Sequence, residues 1–281
     1  MNFIRIFKKE LEDRICQQYR EEGQTLTFLA RYYHCRDEAI RSVLIKNRIP
    51  IKRRGLSKNR LLREDFFDNI DTEEKAYFLG LMFTDGSVTL DPKRSPTISI
   101  QLKVSDIKIL QDFRTILNMH SNLRYDKREN KETAILSFRN SHMAESLAKY
   151  GIIPKKTYET KHLPAVSEDL LPDFLRGLLD GDGSIYQESK SKKYRIDYCS
   201  YHQSICEDFR QLCNKFLIKK NTVKISNYDT AYHVRFNDQK SVKQLATVLY
   251  KDSKISLARK YSLAQEIFED NCEEDIVYSD H

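Results

Sequence analysis

Glycine is scarce in this chain, eight in 281 residues, while 40% of the residues are hydrophobic and 32% charged. That balance belongs to a globular chain rather than a low-complexity one. No apolar run reaches the length of a membrane span, so no membrane partner is expected. The amino terminus, MNFIRIFKKELEDR, lacks the apolar core and small-residue cleavage site of a signal peptide. An intracellular, cytoplasmic protein is therefore expected, nucleoid-associated if the source is bacterial or phage. The six cysteines form no C-x-x-C pair and no cysteine/histidine cluster with zinc spacing, which leaves them as reduced core residues. Cys206 and Cys213, seven apart in a helical pattern, read as two half-buried thiols on one face.

What is present in excess is positive charge: 48 Lys and Arg against 41 Asp and Glu, a formal net charge of +7. Residues 269–281 hold six acids and no Lys or Arg, so the preceding 268 residues carry +13. A cationic body with an acidic tail points to a polyanionic partner.

The most basic segment is 1–63, with 16 Lys and Arg against seven acids. It divides into three short helical patterns. Ile15 and Tyr19 line the first, which Gly23 ends; Thr25 is a candidate N-cap for a second carrying Leu26, Leu29 and Ala30. The third turns Ile40, Val43 and Leu44 inward and leaves Arg36, Asp37, Arg41, Ser42 and Ile45 outward. The segment resembles the helix-turn-helix of resolvases and many bacterial regulators, with Ala30 as the small residue where the helices cross and His34 where such turns often have glycine. The resemblance implies a third helix in the major groove, with Lys52, Arg53 and Arg54 along phosphates or in the minor groove.

Two apolar helical stretches, AYFLGLMFTDGSV (76–88) and DFLRGLLDGDGSI (173–185), each run into an aspartate and a glycine, and Asp85 and Asp182 stand 97 residues apart. Gly80 and Thr84, like Gly177 and Gly181, are spaced i, i+4 and give each helix a small-residue packing face. A carboxylate at a helix C-terminus opposes the helix dipole by some tenths of a kcal/mol or more. If the helices end together, two like charges converge, and a hard divalent cation, Mg²⁺ before the transition metals, would suit the oxygens there.

FLGLMFTDG (78–86) and LRGLLDGDG (175–183) resemble the two nine-residue motifs of the LAGLIDADG homing endonucleases. The resemblance implies that Asp85 and Asp182 bind the metals and drive hydrolysis of one DNA strand each, with the carbonyls of Thr84 and Gly181 beside them. Phe83 departs from the motif's first acid, which Asp180 retains; in the family that acid is not the metal ligand. Mg²⁺ is the expected cofactor, with Mn²⁺ or Ca²⁺ able to substitute for binding.

The flanking patterns fit the family's αββαββα halves. In TISIQLKV (97–104), Ile98, Ile100, Leu102 and Val104 alternate with Thr97, Ser99, Gln101 and Lys103. A helix with Leu110, Phe113 and Leu117, the strand-like NLRYDK and TAILSFR, and the helix MAESLAKYG follow. The second half repeats the order: YRIDYCSY, a helix with Ile205, Phe209, Leu212 and Phe216, then TVKIS, AYHVRFN and SVKQLATVLY. The expected fold class is α+β, two pseudo-twofold αββαββα halves with DNA-facing antiparallel sheets behind a small all-α domain. The expected boundaries are a helix-turn-helix domain (1–55), a linker (56–71), first and second halves (72–163 and 164–268) and an acidic tail (269–281).

On the polar sheet faces, Ser87, Thr89, Arg94, Ser99, Gln101, Tyr186, Lys192, Lys193, Arg195, His233 and Arg235 are candidates for reading DNA. A basic side chain would stabilise the charge of the reacting phosphate: Lys103 in one half, His202 or Lys240 in the other. Because the halves differ, one chain would cut both strands of a long asymmetric double-stranded target as a monomer. Two alternatives share the fold: a non-cutting regulator, expected to have lost one or both acids, and an intron-RNA maturase. An intein is not expected, as no nucleophile-led first residue or terminal His-Asn pair frames the chain.

Overall fold

A computed structural model describes residues 8–21, 24, 26–51, 62–126, 132–228 and 230–269, in two compact units, Met1–Arg60 and Leu61–His281. In the first unit, α1 (Lys9–Arg20), α2 (Leu26–Tyr32) and α3 (Asp37–Lys46) enclose one apolar cluster built on Ile15, Tyr19, Leu29, Ala30, Ile40, Val43 and Leu44, the faces the spacing predicts. Between α2 and α3 the chain passes through His34 at φ +48°, the left-handed region glycine enters most readily. Arg36, Arg41, Ser42 and Ile45 are exposed. Asp37, expected to face outward, is instead partly buried: its Oδ2 accepts a hydrogen bond from Thr27 Oγ1 at 3.1 Å and ties α3 to α2. Gly23, Thr25, Lys52, Arg53, Arg54 and the tail 270–281 lie outside the described residues.

The second unit repeats one element order. The first half runs α4 (Glu73–Thr84), β1 (Gly86–Asp91), β2 (Arg94–Lys103), α5 (Ile107–Ile116), β3 (Arg124–Asp126), β4 (Thr133–Arg139) and α6 (Ser141–Lys149). After the short α7 (Lys156–Glu159) comes the second: α8 (Leu171–Asp182), β5 (Gly183–Gln187), β6 (Tyr194–Ser200), α9 (Gln203–Cys213), β7 (Ser226–Tyr228), β8 (Ala231–Phe236) and α10 (Gln239–Tyr250), with α11 (Ala258–Glu269) closing the unit. Each half holds a four-stranded antiparallel sheet, ordered β1-β2-β4-β3 and β5-β6-β8-β7. One face of each is core: Ile98, Ile100 and Leu136 in the first, Ile196, Val234 and Phe236 in the second. Cys206 and Cys213 are buried on α9, and burial pushes the Cys206 thiol up to about 12.

Helices α4 and α8 form the seam. Thr72 caps α4, its hydroxyl accepting from Lys75 N at 3.3 Å, and Pro172 opens α8 with a φ preset for helix. A Cβ added at Gly80 would stand 2.3 Å from Phe174 O, and one at Gly177 would stand 2.2 Å from Tyr77 O. Only glycine lets the two backbones touch. Residues Ala76 to Phe83 are all buried, because α4 is covered by α8 on one side and by its own half on the others.

Three elements depart from the sequence reading. Phe66 and Phe67, in the segment expected to be linker, are buried in the core, Phe66 with its ring 5.9 Å from Phe113 and Phe67 at 6.2 Å. The strand placed at TVKIS begins only at Ser226, because Asn221 Oδ1 accepts from Val223 N at 2.8 Å and holds that backbone in a local turn. Helix α11 had no sequence counterpart; its buried face carries Lys260, Ala264 and Ile267.

Candidate active site at the ends of the paired helices

Each motif acid sits where its helix gives way to a strand. Asp85 is the C-cap of α4, and Asp182 is the last residue of α8. The ends adjoin: a Cβ on Gly181 would lie 1.9 Å from Thr84 Oγ1 and 2.7 Å from Asp85 Oδ2. The Thr84 hydroxyl stands 3.0 Å from Leu81 O and 3.2 Å from Asp85 Oδ2. Asp85 is partly buried, and burial followed by the charge of Asp182 raises its pKa to about 6. Asp182 keeps an accessible surface, yet protein crowds its other sides, and that burial raises its pKa as well. Accessible surface decides whether a ligand can reach Asp182; the surrounding protein decides its proton affinity.

Two lysines that the sequence reading missed answer these charges. Lys156 Nζ, on α7, donates to Thr84 O at 2.7 Å. Lys260 Nζ, on α11 and 1% exposed, donates to Leu179 O, Asp180 O and Gly183 O at 2.5, 2.8 and 2.6 Å. Each ammonium thus caps the C-terminus of its half's motif helix, where the dipole favours a cation. Both lower the proton affinity of both acids. Burial in turn pulls Lys156 down and Lys260 down to about 8. The trace of this pair in the sequence is faint: PKKTY and ARKYS follow the last helix of each half at unequal distances.

The donors fit a hard cation in part. Two converging carboxylates with raised pKa values suit one, but Lys156 occupies the Thr84 carbonyl expected as a ligand. The Asp182 carbonyl accepts from Cys199 Sγ at 3.1 Å. Among the described residues no three His, Cys, Asp or Glu side chains are grouped to hold a metal. Asp85 and Asp182 are the side chains that would hold one, with the Gly181 carbonyl at the same helix end. Beside them opens a cavity of about 70 Å³ lined by Thr84, Lys156, Asp182, Tyr198 and Tyr201, among others.

Asp180 is a strut, not a ligand. It is 1% exposed and accepts from Tyr77 Oη at 2.9 Å, Tyr250 Oη at 2.8 Å and Leu257 N at 2.8 Å, joining α8 to α4, α10 and the approach to α11. Its counterpart, 97 residues earlier, is the buried Phe83, and the counterpart of Tyr77 in α8 is Phe174. Helix α4 thus lacks the acid, and α8 lacks the hydroxyl that would meet it.

The basic residues expected at the site scatter. Gly86 pairs with Ile100, so Lys103 stands two residues further along β2 than the position opposite Asp85, and exposed. His202 is near the site, its Nε2 3.2 Å from Tyr158 O. Lys240 is not: it follows Gln239, which bonds Tyr194, and Tyr194 pairs with Gln187 at the end of the sheet remote from Asp182. The same register sets Gln101 opposite Asp85 and Cys199 opposite Asp182, because Gly183 pairs with Tyr198.

Ser87, Thr89, Ser99, Gln101, Tyr186, Arg195, His233 and Arg235 alternate with the core residues of their strands, while Arg94, Lys192 and Lys193 are exposed at hairpin ends. Several are already engaged. Ser87 and Ser99 hydroxyls lie 3.0 Å apart, and Gln101 Nε2 donates to Thr133 Oγ1 at 2.8 Å. Arg195 bridges Glu188 and Asn237 O, and His233 and Arg235 converge on Asp197.

Residues 169–249 match the family model described as a LAGLIDADG-like domain. The first half, outside the match, carries the same element order and sheet topology around its own motif helix. No curated protein matches the chain. Similar solved structures include the LAGLIDADG homing endonuclease I-GzeII in complex with its DNA target, at 13% identity and TM-score 0.45 over 71% of this chain and 93% of that one. I-DmoI in complex with DNA and Mn gives 16% identity and TM-score 0.45 over 69% and 100%. The N-terminal LAGLIDADG domain of DUF199/WhiA gives 14% and 0.45 over 76% and 98%. At these scores the likenesses add nothing to the LAGLIDADG-like assignment, which rests on the matched segment.

Proposed function

We propose that the chain is a site-specific, divalent-metal-dependent endonuclease of double-stranded DNA that acts as a monomer. The observation that carries this reading is the meeting of Asp85 and Asp182 at the packed ends of α4 and α8, where the charge of Asp182 helps raise the pKa of Asp85 and each acid stands at the root of a polar-faced sheet. The two carboxylates would hold Mg²⁺, which when bound supplies an activated water and neutralises charge on the phosphate oxygens. Lys156 and Lys260 hold positive charge beside the same acids, where negative charge grows during phosphodiester hydrolysis. Lys260, with a pKa near 8, also retains its proton at neutral pH. The exposed residues of α3, Arg36, Arg41 and Ser42, would extend the DNA footprint in the manner of a recognition helix.

One observation favours a second reading, a DNA-binding regulator that does not cut. Lys156 already sits on the carbonyl a metal would use, so two ammonium groups balance the two carboxylates without a cation. Incubation of the full chain with a library of randomised DNA duplexes, with and without Mg²⁺, separates them. Cleaved duplexes that disappear in Asp85→Asn and Asp182→Asn support the nuclease; enrichment of bound but intact duplexes in every divalent metal supports the regulator.

A further inference from the structure

The polar faces of the two sheets are built differently. In the first, matched positions carry small hydroxyls: Ser87, Ser99 and Ser137 stand in register across β1, β2 and β4. In the second, the corresponding row is Ser184, Asp197 and Arg235. Asp197 is 8% exposed and stands opposite Ser184, two residues beyond Asp182. Its Oδ2 accepts from Arg235 Nη2 at 2.9 Å and from Nε at 3.3 Å, while its Oδ1 lies 3.3 Å from His233 Nδ1. The Arg235 guanidinium is further held 5.9 Å from the Tyr228 ring centre. Its side chain remains 35% exposed.

A nearly buried carboxylate on a surface meant for a polyanion repels that polyanion, so its presence needs a reason. Asp197 supplies one by gripping one edge of Arg235: two of the five N–H donors are committed, the planar group is fixed, and the side chain keeps an exposed surface. A fork held in one orientation matches guanine O6 and N7, whereas a mobile cation reads only phosphate. We infer that Arg235, positioned by Asp197, reads a guanine in the half-site bound by the second sheet. This rests on the proposed DNA-binding function and deepens it by naming the base that the second sheet reads.

The test is selection of bound duplexes from a randomised library by the full chain in Ca²⁺, compared with Arg235→Lys and Asp197→Asn, with thermal unfolding of all three. Wild type should enrich guanine at one position. Arg235→Lys keeps the charge but loses the fork, and should lower that preference roughly 10- to 100-fold without altering other positions. Asp197→Asn should blur the same position while leaving total DNA affinity equal or higher, because a negative charge is gone. The assignment is overturned if Arg235→Lys leaves every position unchanged, which would make Arg235 a phosphate contact. It is equally overturned if Asp197→Asn lowers the unfolding temperature with the base profile intact, which would make the pair structural. Absence of binding by wild type to any duplex would instead refute the DNA-binding function itself.

Discussion

The two halves of the larger unit share an order of elements and differ in what they bury. In the second half the motif helix carries Asp173, Arg176 and Asp180, all buried, where the first has Ala76, Leu79 and Phe83. Arg176 donates to Ile255 O and Leu249 O at 2.8 Å each and to Asp173 Oδ1 at 2.5 Å, and its guanidinium stands 5.4 Å from the Tyr77 ring. At these positions one motif helix is fastened by directional bonds and the other by apolar contact. The comparison teaches that a duplicated fold can keep its motif helices and strand register while the chemistry behind them diverges, provided each polar group diverges together with its partner. Phe83 and Phe174 on one side, Asp180 and Tyr77 on the other, show this pairwise change.

The seam is what both halves depend on, so the largest effect is expected there. Gly80→Ala or Gly177→Ala forces a methyl against backbone atoms at 2.3 and 2.2 Å that cannot retreat. Each should cost on the order of 3 kcal/mol or more, read from urea unfolding, and a cost below about 1 kcal/mol would mean the helices are not in backbone contact. Next, Phe83→Asp should destabilise by roughly 3 kcal/mol, since a carboxylate enters a buried position without the partners that hold Asp180, whereas Asp180→Asn in the other half should cost about 1–3 kcal/mol through its tyrosine bonds. If Phe83→Asp proved harmless, the halves would be interchangeable after all.

The capping lysines sharpen the contrast further. Lys260 satisfies three carbonyls and Lys156 one, so Lys260→Met should cost about 2–3 kcal/mol and Lys156→Met about 1 kcal/mol in unfolding experiments. Equal costs would contradict the unequal bonding.

A further modest effect is a pH dependence. Asp85 has a folded pKa of about 6, above the ordinary aspartate value, so the folded state binds its proton more tightly than the unfolded chain does. Its contribution is fully present below about pH 4 and is lost as pH rises through about 6. Asp85→Asn should therefore stabilise the metal-free protein at pH 7 by on the order of 1–2 kcal/mol and flatten the profile between pH 4 and 6. Mg²⁺ should raise the unfolding temperature of wild type and leave Asp85→Asn unmoved. A wild-type profile already flat in that window would show that the two acids do not share a site.

Much of this was legible in the chain. Alternation in 97–104 and the repeated DG after an apolar helix report the backbone period directly, because a strand repeats every two residues and a buried helix shows no polar face. Asp85, Asp182, Gly80 and Gly177 were therefore found from their spacing. Lys156 and Lys260 were not, since each reaches its carbonyls from an element lying some 70 to 80 residues away in sequence, and a lysine in a basic chain carries no mark of burial. Lys240 was misplaced for the converse reason: outward on a helix near the right strand, it lies at the wrong end of that strand.

The sequence by itself determined the duplication, the helix and strand periods, the two acids and the cationic character, all of which depend on composition and near-neighbour spacing. Only the tertiary structure decided which cations answer the acids, that Asp180 is a strut and that Asp197 grips Arg235. Those are contacts between residues distant along the chain, and their energies depend on a burial that exists only once both partners have been brought together.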